Sequence, residues 1–431
     1  MIDGQTLRAP WGAWTGTSID LVMPPGWQPI ELTMRDAPAL TPAELDGALD
    51  HPVGAPGLGA LAAGKRRAVI AIDDMTRPTR TAPLVSRVVS RLVAAGMTLD
   101  SITVLIAVGA HQAATPEDVR VKVGDLASRV RVVSHDPIDG VESAGVPLAG
   151  KPVSVNREFL ASDLRIGIGG VMPHPFAGFS GGGKIVLPGL SDLDGVVRSH
   201  KYALMGFGGG LQVEGNRFRH DMERAVREIG LDWSVNVVLN GRCETAALVA
   251  GDFVEAHRAA AGRALEIGAT EAPRQPLDAL VLNAYPKDSE LLQVEAALVA
   301  VRAGMTRWLR PDAPIALLGA CPMGMGSHQL FGPGGRLFRR PVAKGYLADH
   351  TLYVVSPATR DDAYRAAFWE GYPYHDRWES CVAAFAGRLP SRPLVGFVLR
   401  GPLQVPLPAP GKMDVPQATG NLSGVAHEGL Q

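Results

Sequence analysis

Four short apolar runs in the first part of the chain each end in side chains that handle protons. "RAVIAIDD" (67–74) ends in Asp73-Asp74 and leads into "MTRPTR", with Arg77 and Arg80. "SITVLIAVGAH" (101–111) ends in His111, "RVRVVSHDP" (129–137) carries His135-Asp136, and "DLRIGIGGVMPH" (163–174) ends in His174. In open parallel sheets, ligands bind beyond the carboxyl ends of the strands. Acid and imidazole at successive strand ends therefore point to one shared pocket. A single strand-end His is more often structural, and Asp74 alone suits a turn or helix cap. Neutral imidazole takes a proton near pH 7, and imidazolium returns it. Two imidazoles on opposite sides of a stereocentre suit a racemase or epimerase. Arg77 is the natural fork for a carboxylate or phosphate.

A fifth stretch carries a lysine. "GFSGGGKIVLPGL" (178–190) fits G-x-x-x-x-G-K, yet Ile185 stands where a nucleotide triphosphatase needs Ser or Thr. Seven residues, two of them Pro, lie between Gly170, near which the strand stops, and Gly178, and "KIVLPGL" reads as extended and then turning. A P-loop is therefore rejected. The glycine run still permits backbone N–H groups to approach an anion, and a solvated loop lysine is the plain alternative for Lys184. Beyond it, "SDLDGVVRSHKY" (191–202) reads as a helix ending near His200, a metal ligand or a helix-terminal cation.

These residues need a scaffold, and the pattern supplies one. Strand-like runs alternate with helical ones such as "LVSRVVSRLVAAGM" (84–97) and "TPEDVRVKVG" (115–124), where Thr115 is the expected N-cap. A second series follows, with strands at 277–288, 313–324, 350–357 and 392–401 and a helix at 290–305. The expected fold class is α/β: two α/β domains with mostly parallel sheets and an active-site cleft between them. The expected division is 1–270, carrying the reactive histidines and lysine, and 271–431, closing the cleft. The tail after about 403 reads as irregular.

Composition excludes several classes. Hydrophobic residues make up 46%, charged residues 20%, and the net charge is −1. Neither a nucleic acid nor an anionic membrane is implied as partner. No secretory signal or spanning segment is expected. Cys243, Cys321 and Cys381 are too sparse for a disulfide framework and read as reduced core thiols, which points to the cytoplasm. Gly (50) and Pro (34) are abundant without a period, as in a loop-rich enzyme.

Taken together, "DDMTRPTR", "VGAHQAATPED", "SHDP", "PHPFAGFSGGGKIVLPGLS" and "YPKDSELLQ" (285–293), in this order and spacing, resemble the lactate racemase family. The resemblance is densest from 70 to 205. It implies a nickel-pincer nucleotide, a pyridinium mononucleotide whose two sulfur arms hold nickel against a ring carbon. Lys184 would carry it through a thioamide, and His200 would be the protein ligand to nickel. Ser180, Gly181, Gly182 and Asp74 fall in the cofactor's surroundings. His111 and His174 match the two catalytic acid/bases, Arg77 a residue that holds the substrate carboxylate, Asp74 an orienting group, and Gln293 a second-domain residue facing the site. The implied reaction is racemisation or C2 epimerisation of a 2-hydroxy acid, by proton-coupled hydride transfer through a 2-keto acid. Cofactor-biosynthesis proteins are implied partners.

The chain departs from the family pattern at Gln112, where Arg is usual. It also has Leu292 and Ala296, where lactate-type members place a Tyr and a Lys near the substrate carboxylate. These changes favour some other 2-hydroxy or sugar acid over lactate. Two other readings remain: a cofactor-independent epimerase or hydrolase on the same scaffold, and a non-catalytic ligand-binding protein.

Overall fold

The computed structural model describes residues 6–407 and the short strand Ile2–Asp3. The chain builds two six-stranded sheets. The first runs Thr245–Gly251, Trp233–Leu239, Leu164–Gly170, Ala68–Asp73, Ile102–Ala107, Arg131–Ser134, and only Thr245–Gly251 is antiparallel. Strand order reverses between Ala68–Asp73 and Leu164–Gly170, which is where a doubly wound sheet opens a crevice. Ala68–Asp73 is buried along its whole length, as a strand covered on both faces must be. Ile70 and Ile72 pack into one apolar cluster, and Val69 and Ala71 into another on the opposite face. Helix Ala82–Ala94 covers the first face with Leu84, Val85, Val88, Val89 and Leu92, an apolar stripe of helical period. Thr115 caps helix Pro116–Val123 in a reciprocal capping box with Asp118.

The second sheet is wholly parallel and runs Tyr374–His375, Leu352–Val355, Ile315–Leu318, Ala279–Asn283, Leu394–Val398, Gln28–Glu31. Its order also reverses beside the strand that leads into Tyr285–Glu290. Both sheets belong to the expected α/β class. The chain's opening residues pack on the second sheet, although the sequence division assigns them to the first unit. Hairpin strands Thr6–Trp11 and Thr17–Val22 bury Leu7, Ala9 and Leu21 against Ala279, Val281 and Phe397. These alternating apolar side chains need a sheet face to cover, and the second sheet offers one.

The chain passes between the two sheets at two places that lie side by side. Arg35 N–H donates to Ala269 O at 2.8 Å, and Met34 bridges Thr270. Ala269–Thr270 pairs with Val405–Pro406, within the segment read as irregular; the remainder of that tail lies outside the described residues. Residues 217–268, for which the sequence reading placed no element, contain helices Arg217–Ile229 and Glu255–Gly268 and two strands of the first sheet.

Candidate active site

The carboxyl end of Ala68–Asp73 delivers a buried acid into the crevice. Asp74 Oδ2 lies 2.6 Å from His111 Nδ1, and Thr76 Oγ1 donates to Asp74 Oδ1 at 2.7 Å. Arg77 Nη1 donates to the same Thr76 oxygen at 2.7 Å. Burial opposes ionisation of Asp74, but the charge and hydrogen bond of His111, the charge of Arg77 and the Thr76 hydroxyl outweigh it. Its carboxyl is held well below the usual range. Asp74 is therefore a carboxylate, so His111 Nδ1 carries a hydrogen toward it, and in the neutral ring the lone pair of Nε2 is left for the crevice.

A second ion pair fixes this loop from beneath. Lys122 is fully buried, and its Nζ reaches Asp73 Oδ1 at 2.7 Å, Thr79 O at 2.9 Å and Arg77 O at 3.2 Å. Asp73 Oδ2 in turn accepts from Gly170 N–H at 2.9 Å, tying the loop to the neighbouring strand.

His174 sits on the short strand Pro173–His174, after Leu164–Gly170. Its Nδ1 accepts from Phe176 N–H at 3.1 Å and from Ala177 N–H at 3.3 Å. A neutral His174 thus carries its proton on Nε2. Burial first, then the charges of Lys184, Arg77, Lys287 and His200, push its pKa well below the ordinary value. A neutral His111 offers a lone pair, and His174 offers an N–H donor.

The glycine run places Lys184. Gly181 and Gly182 both adopt positive φ, and a Cβ at Gly182 would lie 3.0 Å from His257 Cβ, so the loop lies flat against helix Glu255–Gly268. "KIVLPGL" is not extended. A short tight helical turn spans Gly182–Ile185, with Val186 and Leu187 both donating to Gly183 O. The positive φ values start this turn, which the apolar run Ile185–Leu187 then buries. Ser180 Oγ donates to Gly170 O at 2.6 Å and accepts from Met172 N–H at 3.1 Å, and Gly182 N–H donates to Asn236 Oδ1 at 2.9 Å. His257 Nε2 donates to Ser180 O at 2.9 Å. In this arrangement Ser180, Gly181 and Gly182 shape the loop, and the engaged groups are not aimed at an anion. Arg219, paired with Glu223, holds the carbonyls of Ala177 and Phe179 from behind.

Lys184 Nζ has no hydrogen bond or ion pair among the described residues. Burial, with help from the charges of Arg77 and Arg219, pulls its pKa down to about 7. At neutral pH much of this amine is unprotonated and nucleophilic, which a thioamide tether requires.

His200 lies near the end of helix Leu193–Tyr202, and its Nδ1 donates to Val196 O at 2.8 Å. That bond fixes the tautomer and frees the Nε2 lone pair, the usual outer support of a metal-ligating imidazole. Phe176 and Phe331 flank the ring at 6.2 and 5.4 Å between centroids. Burial pushes its pKa to about 4, so the ring stays neutral and able to donate to a metal. Among the described residues, no three His, Cys, Asp or Glu side chains are grouped to hold a metal by themselves. A metal at His200 must bring its other donors with it, as nickel in a pincer does. The residues fit that group.

The second sheet brings a further cation near these residues. Lys287, at the end of Ala279–Asn283, is buried, and its pKa is lowered by burial and by Arg77, against the pull of Asp74 and Glu290. Its ammonium makes no hydrogen bond among the described residues, while its backbone N–H donates to Ala284 O at 2.7 Å. Gln293 is half-buried on helix Leu291–Val294, and its side chain touches none of the four site residues His111, His174, Lys184 and His200 through a hydrogen bond. His135 does not join the site. Its Nε2 donates to Ser191 O at 3.0 Å and its Nδ1 accepts from Asn156 at 3.2 Å, a satisfied structural histidine. The sequence reading missed Lys287 and also His328, whose ring lies 4.9 Å from that of His111. The rule that located the other histidines, a reactive side chain following a strand's carboxyl end, applies to the loop after Ile315–Leu318 as well.

The lactate racemase N-terminal domain family matches residues 18–208. A lactate racemase from Thermoanaerobacterium thermosaccharolyticum is 29% identical over 271 residues, 59% of this chain and 61% of that protein. One from Lactiplantibacillus plantarum is 28% identical over 267 residues, 60% of this chain and 62% of that protein. The chain thus spans about three-fifths of the length of these relatives. In fold it is similar to the lactate racemase apoprotein of T. thermosaccharolyticum, with a TM-score of 0.73 at 20% identity over 94% of this chain and 100% of that one. A Thermotoga maritima protein aligns with a TM-score of 0.63 at 18% identity, over 86% of this chain and 100% of its own. Over residues 18–208 the chain is thus similar to the N-terminal domain of lactate racemases.

Proposed function

We propose that the protein racemises or epimerises a 2-hydroxy acid at C2, through a 2-keto acid, with a nickel-pincer nucleotide joined to Lys184 and held at its nickel by His200. When bound, that group supplies the acceptor and donor of the C2 hydride. The remaining work falls to side chains. His111 Nε2 takes the hydroxyl proton, and the Asp74 carboxylate stabilises the imidazolium that results. His174 presents Nε2–H from its own side of the crevice. Arg77, with donors left over from its bond to Thr76, holds the substrate carboxylate. Gln293 faces the substrate from the second unit. We divide the chain near residue 270, with the second unit closing over the first and excluding water.

One observation carries this reading. An imidazole backed by a carboxylate, an imidazole bearing Nε2–H, an unpaired lysine near neutrality and a metal-ready imidazole lie close enough that Lys184 and His200 both act on His174, and Lys184 and His111 both act on His200. Leu292 and Ala296 favour some other 2-hydroxy or sugar acid over lactate. Cofactor-biosynthesis proteins are its partners, and the cytoplasm is its compartment. No helix of the described residues is long and apolar enough to cross a membrane.

The test is co-expression with nickel-pincer synthesis proteins. Mass spectrometry of the Lys184 peptide, nickel analysis and chiral chromatography of a panel of enantiopure 2-hydroxy and aldonic acids follow. An adduct on Lys184 with equimolar nickel and racemisation of one acid is expected. Turnover that survives Lys184→Ala would move the assignment to a cofactor-independent epimerase.

A further inference from the structure

We propose that His328 is a substrate-binding residue whose Nε2–H bonds a carboxylate oxygen of the 2-hydroxy acid, beside the proton-accepting Nε2 of His111. The assignment rests on the reading above that this crevice takes a 2-hydroxy acid, and it names a contact that Leu292 and Ala296 no longer supply.

The loop that carries His328 is stapled on both sides. On its own unit, Leu291 N–H donates to Gly324 O at 3.0 Å and Leu292 N–H to Met325 O at 3.2 Å. Across the crevice, Gln329 N–H donates to Ala110 O at 3.0 Å, one residue before His111. Leu330 is fully buried against Val196 and Val197, on the helix that bears His200. Arg336 pairs with Asp194 on the same helix. His328 therefore stands where the second unit touches both the proton-handling strand end and the metal-ready helix. Its ring lies 4.9 Å from that of His111 and 5.0 Å from that of Phe331, which in turn flanks His200.

The ring's own bonding decides what it can do. Nδ1 accepts from Leu330 N–H at 3.1 Å, so the proton of the neutral ring sits on Nε2. Nε2 has no partner among the described residues. Burial, and the charges of His111, His200 and Arg77, disfavour a second proton. His328 is thus a fixed neutral donor, unsuited to being a base. The hydroxyl of the substrate must face an acceptor, His111 Nε2, which leaves the neighbouring carboxylate as the anion a donor can meet. The wall beside it is apolar: a Cβ at Gly332 would lie 3.5 Å from Leu292 Cδ1, so the loop packs directly on the position where a Tyr would have stood. The donor comes from the loop because helix Leu291–Val294 offers none there.

The test uses oxalate, a planar carboxylate probe, titrated calorimetrically into the full chain expressed without cofactor-synthesis proteins. It also uses KM and kcat for whichever acid the loaded enzyme racemises. Losing a hydrogen bond to a charged group should weaken oxalate binding about 10- to 100-fold in His328→Leu. KM should rise by a similar factor with kcat little changed. His328→Asn, which keeps an N–H donor, should recover most of the affinity, and this guards against a folding defect in the leucine variant. Oxalate affinity equal in wild type and His328→Leu, or no oxalate binding by wild type, overturns the assignment. Oxalate binding that depends on His328, with no acid racemised by loaded protein, keeps the donor and sinks the racemase reading instead.

Discussion

Replacing Lys122 by Met should unlock the loop that carries Asp74 and Arg77. Lys122 Nζ lies 2.7 Å from Asp73 Oδ1, and the two side chains are 0% and 10% exposed. At that distance the gross attraction is about 6 kcal/mol for an effective dielectric of about 20. Desolvation offsets part of it, but removing one member of a buried pair strands the other as an uncompensated charge, at a typical cost of about 3–5 kcal/mol. The carbonyls of Arg77 and Thr79 lose their donor in the same step. Amide hydrogen exchange reads this without assuming that the whole chain unfolds at once. The slowest amides of Ala68–Asp73 should exchange about 10²- to 10³-fold faster. The double variant Lys122→Met with Asp73→Asn should recover part of the loss, since no buried charge remains. Protection within tenfold of wild type in Lys122→Met would refute the claim that this pair holds the loop.

Other expectations concern the site itself. Asp74→Asn should lower racemisation by about 10²- to 10⁴-fold, because an amide can hold His111 in the tautomer whose Nε2 bears the hydrogen; a near-normal kcat would remove Asp74 from the proton-handling machinery. His200→Ala should lose nickel while circular dichroism and thermal unfolding stay close to wild type, and retained nickel would contradict a ligand role. In unloaded protein, carbamylation of Lys184 by cyanate should rise with pH through about 7, well below the ordinary lysine value of 10.5, when followed by peptide mass spectrometry. The same depression has a stability sign. Between about 7 and 10.5 the unfolded chain binds a proton at this lysine that the folded chain does not, so Lys184 makes the fold more stable as pH rises through that window. A Lys184→Met variant should lose that pH dependence.

The half of the site on the first sheet was legible because each reactive side chain follows a buried strand, and the run Ala68–Asp73 through His174 obeys that rule three times. Its interior was not. Lys122 sits in "PEDVRVKVG" like a solvated helix lysine, yet its Nζ lies on Asp73, Thr79 and Arg77, with the hairpin's Trp14 ring 5.4 Å away. Ser180, expected among the cofactor's surroundings, uses its hydroxyl to close the turn after Met172. His328 escaped because its loop has no periodicity, and its neighbours His111 and Phe331 come from opposite units of the fold. The opening hairpin's allegiance to the second sheet could not be read at all, since alternation reveals a buried face but never the partner that buries it.

The two passages between the sheets lie against each other, Arg35 on Ala269 and Met34 on Thr270, with Val405–Pro406 alongside. Adjacent crossings act as paired pins of one hinge. Sliding would tear their backbone pairing, whereas swinging about the line they define leaves it whole. Lys287 rides on one leaf and His111, Lys184 and His200 on the other, while the loop bearing His328 is bonded to both. In the proposed function, a swing that admits the acid has to release the bond from Gln329 N–H to Ala110 O, and its return restores that staple together with the grip on the carboxylate.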